Sequence, residues 1–460
     1  MEEMAAPSTD LERVERWLGA GAIKHTLDPA TPNTVDLARF IACANGVRRE
    51  ELPDAGPPRP EAEAALVRAV GPVGRHFLFV LLDGMGMNLI EATLPPSSFL
   101  RRHLVQPIHS VFPATTTAAL NSLASAVHPS AHGLPGWTVR TATSTGEEIT
   151  ATPLPFIEDG TGAPLGSVGV DPSELFSAPP VYSLYRRPAH QVSAYAGTEF
   201  SDYSTAWCPS TIPESPIEAV ATVAERWRAS SASASSAGSG DDDSNDGETF
   251  TYFYNAEPDS SSHKFGWKSD VVAAELVALD AALEQLWATT TACSGRTIVV
   301  TADHGHLECH GDQTMLLGAE PEDDEILSLL RCSPTVEPRT PGFHVHPDGD
   351  GAAPGANCSR FAAAFRASRF GQKFALLSAA EAEALELFGP APMGERCRAH
   401  IGDFVAISPE NVVIMSKDVG MVGQHGGATA AEMEIPLIVA SDLRDPPPPP
   451  PPPHSNGSKL

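Results

Sequence analysis

The chain has 460 residues, 42% of them hydrophobic, and is long enough to bury a large core. Its 30 basic and 58 acidic side chains give a formal net charge of -28, which opposes binding to a nucleic-acid polymer or an anionic membrane surface. Small phosphorylated ligands remain compatible with this charge, because a bound metal ion reverses its sign locally. The seven cysteines are scattered without a CxxC pair, the N-terminus is acidic, and no run of about 18 apolar residues occurs. We expect a soluble protein made in the cytosol, without a membrane partner.

Four short apolar runs have the composition of strands that are buried on both faces, since they are rich in β-branched and aromatic residues and do not alternate with polar ones. These runs are HFLFVLL (76–82), TFTYFYNA (249–256), TIVVTA (297–302) and IPLIVA (435–440). Helical patterns separate them, most clearly over residues 269–288, where apolar residues recur at spacings of three and four. The alternation predicts an α/β fold, with a doubly wound, mostly parallel sheet flanked by helices. All four runs are expected to be parallel strands.

Two low-complexity segments interrupt or follow this pattern. Residues 229–248, ASSASASSAGSGDDDSNDGE, have too little apolar surface to bury, so we expect a disordered insert within the domain. Residues 446–453 are consecutive prolines, which favour a stiff polyproline II arm. We expect the folded part to end near Leu443 and residues 444–460 to form a tail.

Carboxylates and imidazoles follow the predicted strands. An isolated DG or DHG is usually an ordinary turn, but here such groups follow three strands, and one more histidine precedes the last strand in GQHGG. The carboxyl ends of parallel strands form the ligand site of an open α/β sheet, so these side chains are expected to converge. Mixed carboxylate and imidazole ligands suit a pair of divalent ions, with zinc as the natural fit. The candidates are Asp83, Asp259, His263, Asp303, His304 and His425.

Five motifs, in order along the chain, resemble those of the alkaline phosphatase superfamily, specifically its type I phosphodiesterase and nucleotide pyrophosphatase branch. They are LLDG, FPATTTAALNSLASAVHPSAHG, EPDSSSHKFG, ADHG and GQHGG. The resemblance extends from about Val35 to Val439. It implies an alkaline phosphatase-like domain over residues 35–443, preceded by an N-terminal extension, 1–34. It also implies an inserted cap region at about 310–418, which includes RAHIGDFVAISPENVVIM.

The resemblance also selects one of three consecutive threonines. The family's nucleophile lies sixteen residues before the histidine of a trailing P-x-x-HG element, here His132, which implies Thr116. Thr116 is expected at a helix N-terminus, where free amides and the helix dipole favour an incoming phosphate. A threonine hydroxyl attacks well only when a cation stabilises its alkoxide. Thr115 or Thr117 could instead cap the helix.

By the same resemblance, Asp259, His263 and His425 would hold one zinc ion. Asp83, Asp303 and His304, together with the Thr116 oxygen, would hold the other. Two ions about 4 Å apart clamp the attacking and leaving oxygens of an in-line displacement. Thr116 would form a phosphothreonine intermediate that water then releases.

One position departs from the family pattern. Family phosphodiesterases often have Asn five residues after the HG histidine, whereas this chain has Trp137. Trp137 could bind the substrate by stacking on a nucleobase, or it could pack against the cap. Four further histidines are expected at the surface or behind the ligands: His306, His310, His344 and His346.

These features favour a two-metal phosphodiesterase or nucleotide pyrophosphatase that acts on small nucleotide-like substrates. A phosphomonoesterase or phosphonate hydrolase could use the same groups, whereas the nucleophile's context disfavours a phosphomutase. A non-catalytic, metal-stabilised binding protein is the alternative from another class, and it would be expected to have lost some of these residues. The sequence does not indicate an oligomeric state.

The final residues, Ser458, Lys459 and Leu460, match a peroxisomal import signal that a receptor reads at a free C-terminus. The proline arm would hold this signal clear of the folded domain. We therefore expect a peroxisomal protein, the alternative being a cytoplasmic one with a polar tail. A peroxisomal address would favour pyrophosphate-containing substrates such as NAD(H), FAD or CoA derivatives.

Overall fold

The computed structural model of the protein describes residues 9–193, 208–236, 247–349 and 351–444. The strands are β1 His76–Leu82, β2 Leu104–His109, β3 Val139–Ala142, β4 Glu148–Thr152, β5 Ile157–Glu158, β6 Ala189–Ser193, β7 Ser210–Thr211, β8 Thr249–Asn255, β9 Arg296–Thr301, β10 Leu307–Glu308, β11 Thr314–Leu316, β12 Thr335–Glu337, β13 Thr340–Phe343, β14 Ala375–Ser378, β15 Phe404–Ile407, β16 Val413–Met415, β17 Gly423–Gln424 and β18 Glu434–Ser441. The α-helices are Asp10–Gly19, Thr34–Ala44, Pro60–Val70, Met87–Thr93, Phe99–Arg102, Thr116–Ser125, Pro129–His132, Pro172–Leu175, Pro216–Ser236, Asp259–Phe265, Asp270–Thr289, Asp324–Leu329, Ala356–Ala367, Arg369–Lys373, Ala379–Ala384, Glu395–Ile401 and Ala430–Met433.

The central sheet has the strand order β2-β18-β9-β1-β8-β6-β7. Strand β1 pairs in parallel with β8 and β9, and β6 pairs in parallel with β8 and β7. Strand β18 is antiparallel to both of its neighbours, β9 and β2. The predicted α/β fold with a mostly parallel sheet is confirmed.

The predicted parallel orientation of IPLIVA is wrong, because this run forms the antiparallel strand β18. A continuous apolar run indicates burial on both faces, and it carries no information about strand direction. The reversal has a consequence for the site. The amino end of β18 lies at the same edge of the sheet as the carboxyl ends of β1, β8 and β9, so a loop that precedes β18 can contribute to that edge.

Helices cover the central sheet and complete its core. All residues of β1 and β9 are buried, as their composition predicts. Trp227 of the helix Pro216–Ser236 and Leu283 of the helix Asp270–Thr289 belong to the same buried cluster as Phe79 of β1. The second of these helices is the one predicted over residues 269–288, and Ser269 caps it by accepting a hydrogen bond from the Val272 amide.

The inserted region, defined here as residues 307–424, lies between β9 and β18 and contains a second sheet of order β12-β13-β15-β14. It includes the predicted cap region. The N-terminal helix Asp10–Gly19 packs against this second sheet, since Val14 belongs to the same buried cluster as Ala375 and Val405. Arg366 Nε also donates to Asp10 Oδ2 at 2.7 Å. The N-terminal extension therefore joins the inserted region to the rest of the domain.

The structure differs from the predicted disorder over residues 229–236, which continue the helix Pro216–Ser236. Alanine has a high helix propensity, and this helix is already anchored by Trp227, so the apolar count of the segment was a poor guide. Ser231 Oγ also lies 2.9 Å from Nε2 of the buried His76. Residues 237–246 lie outside the described residues, as do the tail 445–460 and the predicted import signal. Within the described ranges, every helix is too short or too polar to span a bilayer.

Candidate metal centre

The six predicted aspartates and histidines meet at the carboxyl edge of the central sheet. Each is delivered by an element that ends or begins there. Asp83 follows β1, and the pair Asp303 and His304 follows β9. The helix Asp259–Phe265 follows β8 and carries Asp259 and His263 one turn apart. His425 reaches the same edge because it precedes the antiparallel strand β18.

The first group consists of Asp83, Asp303 and His304, whose potential ligand atoms all lie within 4.8 Å of one another. His304 Nε2 lies 3.4 Å from Asp83 Oδ1 and 3.5 Å from Asp303 Oδ2. Both oxygens are buried and make no hydrogen bond to the described part of the chain. Burying unpaired carboxylate oxygens is costly, and a divalent cation between them and the imidazole nitrogen would satisfy all three atoms.

The second group consists of Asp259, His263 and His425, again with ligand atoms within 4.8 Å of one another. Asp259 Oδ1 lies 3.4 Å from His263 Nε2 and 3.7 Å from His425 Nε2. The two Nε2 atoms are 3.2 Å apart. Asp259 Oδ1 also lies 4.0 Å from Nε2 of His304, so the two groups adjoin. The potential ligand atoms therefore form one continuous cluster.

The tautomers of the three histidines suit metal binding. In each ring, Nδ1 lies 2.8 to 3.2 Å from a backbone carbonyl oxygen, to which only a protonated Nδ1 can donate. The lone pair of the neutral ring is then on Nε2, the atom that faces the cluster. Burial also lowers the pKa of His425 well below its usual value, which keeps that ring neutral. The three pairs are His263 with Gly423, His304 with Gly305, and His425 with Ala114.

The electrostatics of the cluster call for a positive charge. Burial, and then the neighbouring carboxylates of Asp303 and Asp259, raise the pKa of Asp83 well above its usual value. The Tyr254 hydroxyl donates to Asp83 Oδ2 at 2.5 Å and acts in the opposite direction. Burial likewise raises the pKa of Asp259, but the adjacent histidines outweigh it and leave the net shift strongly downward. A divalent cation would relieve the repulsion among these carboxylates.

Among the three consecutive threonines, Thr116 has its hydroxyl oxygen at the cluster, 3.1 Å from His304 Nε2. Thr116 is the first residue of the helix Thr116–Ser125, which follows β2 at the same edge of the sheet. Thr115 instead donates its hydroxyl to Glu337 Oε1 at 2.6 Å. The Thr117 hydroxyl is buried and has no hydrogen-bond partner in the described ranges. Of the three, Thr116 is therefore the one whose hydroxyl oxygen lies at the cluster, and its role as nucleophile stays a prediction.

Two side chains at the site carry weak or no signal in the sequence. His306 is buried, and its Nε2 lies 2.7 Å from Asp259 Oδ1. The pattern His-x-His in an extended segment could have indicated it, because alternate side chains share a face. Glu337 comes from the inserted region, and no local pattern marks it. The other histidines were expected at the surface or behind the ligands. His310 and His346 are exposed at the surface, whereas His344 is buried beside Thr335.

Trp137 lies at the rim of this region. Trp137 is 41% exposed, so its indole is accessible to a ligand. Its backbone amide donates to Glu337 Oε1 at 2.8 Å, on the same oxygen that Thr115 uses. The backbone of Trp137 is thereby tied to the segment that carries Thr116. Its role in substrate binding stays a prediction.

Comparison with known proteins gives a family and a fold. A family model described as type I phosphodiesterase / nucleotide pyrophosphatase matches residues 77–428. No curated protein sequence matches the chain. The solved structure of murine ectonucleotide pyrophosphatase/phosphodiesterase 5 is similar with a TM-score of 0.55 and 15% identity, over 79% of this chain and 87% of that one. Its human counterpart, and an inactive threonine-to-alanine variant of the murine protein in complex with AMP, each give 0.54 and 14% over the same shares.

Proposed function

Because the chain belongs to the type I phosphodiesterase / nucleotide pyrophosphatase family of metal-dependent hydrolases, we propose that it cleaves small nucleotide-like substrates by attack of Thr116 on phosphorus. The bonds cleaved would be phosphodiester or pyrophosphate bonds. The observation that carries this proposal is the position of the Thr116 hydroxyl, 3.1 Å from His304 Nε2 and at the start of a helix.

The cluster fits two divalent ions, and zinc is the ion we propose. Asp83, Asp303 and His304 with the Thr116 oxygen would hold one ion, and Asp259, His263 and His425 the other. The orphaned oxygens of Asp83 and Asp303, and the three Nε2 atoms that face the cluster, support this assignment. When bound, the ions would supply the positive charge that stabilises an alkoxide and a leaving oxygen.

The proposed reaction consists of two successive displacements at phosphorus. Thr116 Oγ1 forms a bond to phosphorus while the bond to the leaving oxygen breaks, and the hydroxyl proton passes through solvent to the leaving oxygen, which gives a phosphothreonine diester and a released alcohol or phosphate. Water next attacks phosphorus, the bond to Oγ1 breaks, and Thr116 recovers its proton. The backbone amides at the start of the helix Thr116–Ser125 would donate hydrogen bonds to the phosphoryl oxygens and stabilise their charge.

Two observations support a nucleotide-like substrate. Trp137 is exposed, and its backbone amide shares Glu337 Oε1 with the hydroxyl of Thr115, so we expect a base bound near Thr116 to stack on the indole. The structurally similar murine protein binds AMP in its inactive threonine-to-alanine variant. In that variant both the ligand and the altered residue type agree with the roles proposed here for the substrate and for Thr116.

The cellular address is a separate proposal that depends on the sequence alone. Ser458, Lys459 and Leu460 would be read by the peroxisomal import receptor. The substrate would then be a peroxisomal pyrophosphate such as NAD(H), FAD or a CoA derivative.

The function is tested by measuring the metal content of the purified protein and its turnover of substrates that differ in the number of phosphate esters. We expect about two zinc ions per chain and faster cleavage of a nucleotide diester than of the matching nucleotide monoester. A fully metallated protein that prefers the monoester would instead be a phosphomonoesterase. A metallated protein without hydrolytic activity would favour the binding-protein alternative.

A further inference from the structure

Glu337 is a buried carboxylate from the inserted region that reaches the nucleophile's segment. It ends β12 and is 6% exposed. Its Oε1 accepts two hydrogen bonds, from the Thr115 hydroxyl at 2.6 Å and from the Trp137 amide at 2.8 Å. The proposed chemistry of the six candidate ligands and Thr116 assigns no role to Glu337, so its position at the site is unexplained by that chemistry.

The hydrogen bond to Thr115 changes what the start of the helix Thr116–Ser125 can do. Thr115 occupies the N-cap position, where a threonine hydroxyl ordinarily accepts a hydrogen bond from the second or third amide of the helix. Here the Thr115 side chain makes no such bond. Because its hydroxyl is directed to Glu337 instead, no N-cap side chain occupies the amides of Thr117 and Ala118.

The backbone around Glu337 is arranged to hold it in this place. Val336 has a φ of +70°, a conformation that is strained for a β-branched residue. Its backbone exchanges two hydrogen bonds with Thr138, at 2.9 and 3.3 Å. A Cβ on Gly136 would lie 2.6 Å from the Val336 oxygen, so a side chain there would push β12 away. The strained backbone of Val336 and the close approach of Gly136 together place the carboxylate between Thr115 and Trp137.

Glu337 also packs beside the loop that carries a candidate ligand. A Cβ on Gly426, next to His425, would lie 2.7 Å from Glu337 Cγ. In the adjoining strand, the Thr340 hydroxyl donates to the Gly426 oxygen at 2.6 Å. The inserted region therefore contacts both the nucleophile's segment and the His425 loop through β12 and β13.

We propose that Glu337 is a positioning residue of the phosphoryl site: it holds the Thr115 hydroxyl away from the helix N-terminus, so that the amides of Thr117 and Ala118 can bind phosphoryl oxygens, and it fixes Trp137 beside them. This inference rests on the proposed function. It adds that the inserted region, through one carboxylate, keeps the anion site open and couples it to the aromatic residue at the rim.

The proposal predicts an effect opposite to that of simple electrostatics. Removal of a carboxyl group near an anion site relieves any repulsion of the anion, so it should by itself strengthen the binding of an anion. On our account, Glu337→Ala weakens it, because the released Thr115 hydroxyl can turn back to the helix and occupy an amide. Thr115→Val has no hydroxyl to turn back, so it should rescue the Glu337→Ala variant.

The test measures inhibition by inorganic phosphate in zinc-loaded full-length protein, with metal content and melting temperature as further readouts. We expect Glu337→Ala to weaken phosphate binding about tenfold, the order of one hydrogen bond. Glu337→Gln should stay within about threefold of the parent, because its amide oxygen can accept both hydrogen bonds. The double variant Glu337→Ala/Thr115→Val should recover most of the loss. Tighter phosphate binding in Glu337→Ala, or no recovery in the double variant, would overturn the proposal.

The Trp137 part has its own readout. In the double variant Glu337→Ala/Thr115→Val, phosphate binding should recover more fully than KM for a nucleotide diester, because Thr115→Val cannot restore the anchor of Trp137. Equal recovery of both quantities would contradict this part. If Glu337→Ala does not fold, Glu337→Leu and Glu337→Leu/Thr115→Val take its place, because leucine fills similar space and accepts no hydrogen bond; the effects of the two substitutions on phosphate binding must be non-additive for the proposal to stand.

A matched control and the parent protein separate the two proposals. Asp280 is a buried carboxylate that accepts hydrogen bonds from the Phe99 and Leu100 amides, and Asp280→Asn should leave phosphate binding unchanged. Phosphate affinity can be measured by calorimetry without turnover. A metallated parent that binds phosphate but cleaves no ester would refute the proposed function, while the order of affinities among the variants would still decide the role of Glu337.

Discussion

The hydroxyl oxygen of Thr116 lies 3.1 Å from Nε2 of His304. Thr116 begins a helix after β2, whereas His304 follows β9, and the two strands are separated in the sheet by β18. The contact therefore joins the N-terminus of a helix to a cluster of potential metal ligands. It is the relationship on which the proposed chemistry depends.

We expect Thr116→Ala to lower turnover at least about 1,000-fold, because the attacking oxygen is lost. Thr116→Ser should keep measurable activity, since it retains a hydroxyl at the same place. Thr117→Ala is the matched control, and it should keep most of the activity. Steady-state kinetics on a nucleotide diester, at equal metal content, makes the comparison. If Thr117→Ala were inactive and Thr116→Ala active, the nucleophile would be Thr117 and our assignment would be wrong.

The contact between His306 and Asp259 predicts an effect on metal affinity. His306 Nε2 lies 2.7 Å from Asp259 Oδ1 and orients a carboxylate that is a candidate ligand. Loss of such an outer partner typically weakens metal binding 10–100-fold, so we expect about this change for His306→Ala. Competition with a zinc chelator measures it directly.

The control for this variant is His310→Ala. His310 is exposed, and its Nε2 lies 3.2 Å from Glu308 Oε2. His310→Ala should bind zinc as the parent does. Equal affinity of the two variants would show that His306 has no influence on Asp259.

Buried histidines away from the cluster predict a loss of stability in acid. Burial lowers the pKa of His128 and His132 to about 3, and of His76 and His400 to about 4. An unfolded histidine takes up its proton near pH 6.5, so between about pH 6.5 and about pH 4 the unfolded state binds more protons than the folded state. The free energy of unfolding should therefore decrease as the pH falls through this window.

Denaturant unfolding of metal-free protein, at several pH values across this window, measures the effect without the contribution of metal release. Because the raised pKa of Asp83 acts in the opposite direction in metal-free protein, the parent is compared with His132→Gln; an equally steep fall of stability in both proteins would contradict the assignment of His132 as buried and neutral.

The convergence of the six candidate ligands could be predicted from the sequence, because each of them adjoins a strand end with a recognisable composition. Asp83 and Asp303 directly follow apolar runs, so the sheet alone brings them together. The direction of β18 could not be predicted, since an apolar run looks the same in either direction. His425 nevertheless reaches the site, and it does so because of that reversal.

Other features depend on contacts that no local pattern reports. Thr115 and Glu337 are 222 residues apart, and a single glutamate in an inserted region carries no signal of its own. The helix over residues 229–236 was missed because its composition suggests disorder, whereas its position is set by the buried Trp227 earlier in the same helix. Tertiary packing decided both cases.

The peroxisomal address predicts the location of a fusion protein. With a fluorescent protein at the N-terminus, the intact chain should co-localise with a peroxisomal marker, because the receptor reads a free Ser-Lys-Leu end. Deletion of Leu460 should leave the signal diffuse in the cytosol. A diffuse signal from the intact fusion would refute the address without affecting the proposed chemistry.

The stereochemical course at phosphorus tests the central claim most directly. A chiral phosphorothioate diester of a nucleotide is hydrolysed in isotopically labelled water by the zinc-loaded protein, and the configuration of the product is determined. Attack by Thr116 followed by attack of water inverts phosphorus twice, so the account predicts net retention. Net inversion would mean a single displacement by water and would contradict the role of Thr116 as nucleophile.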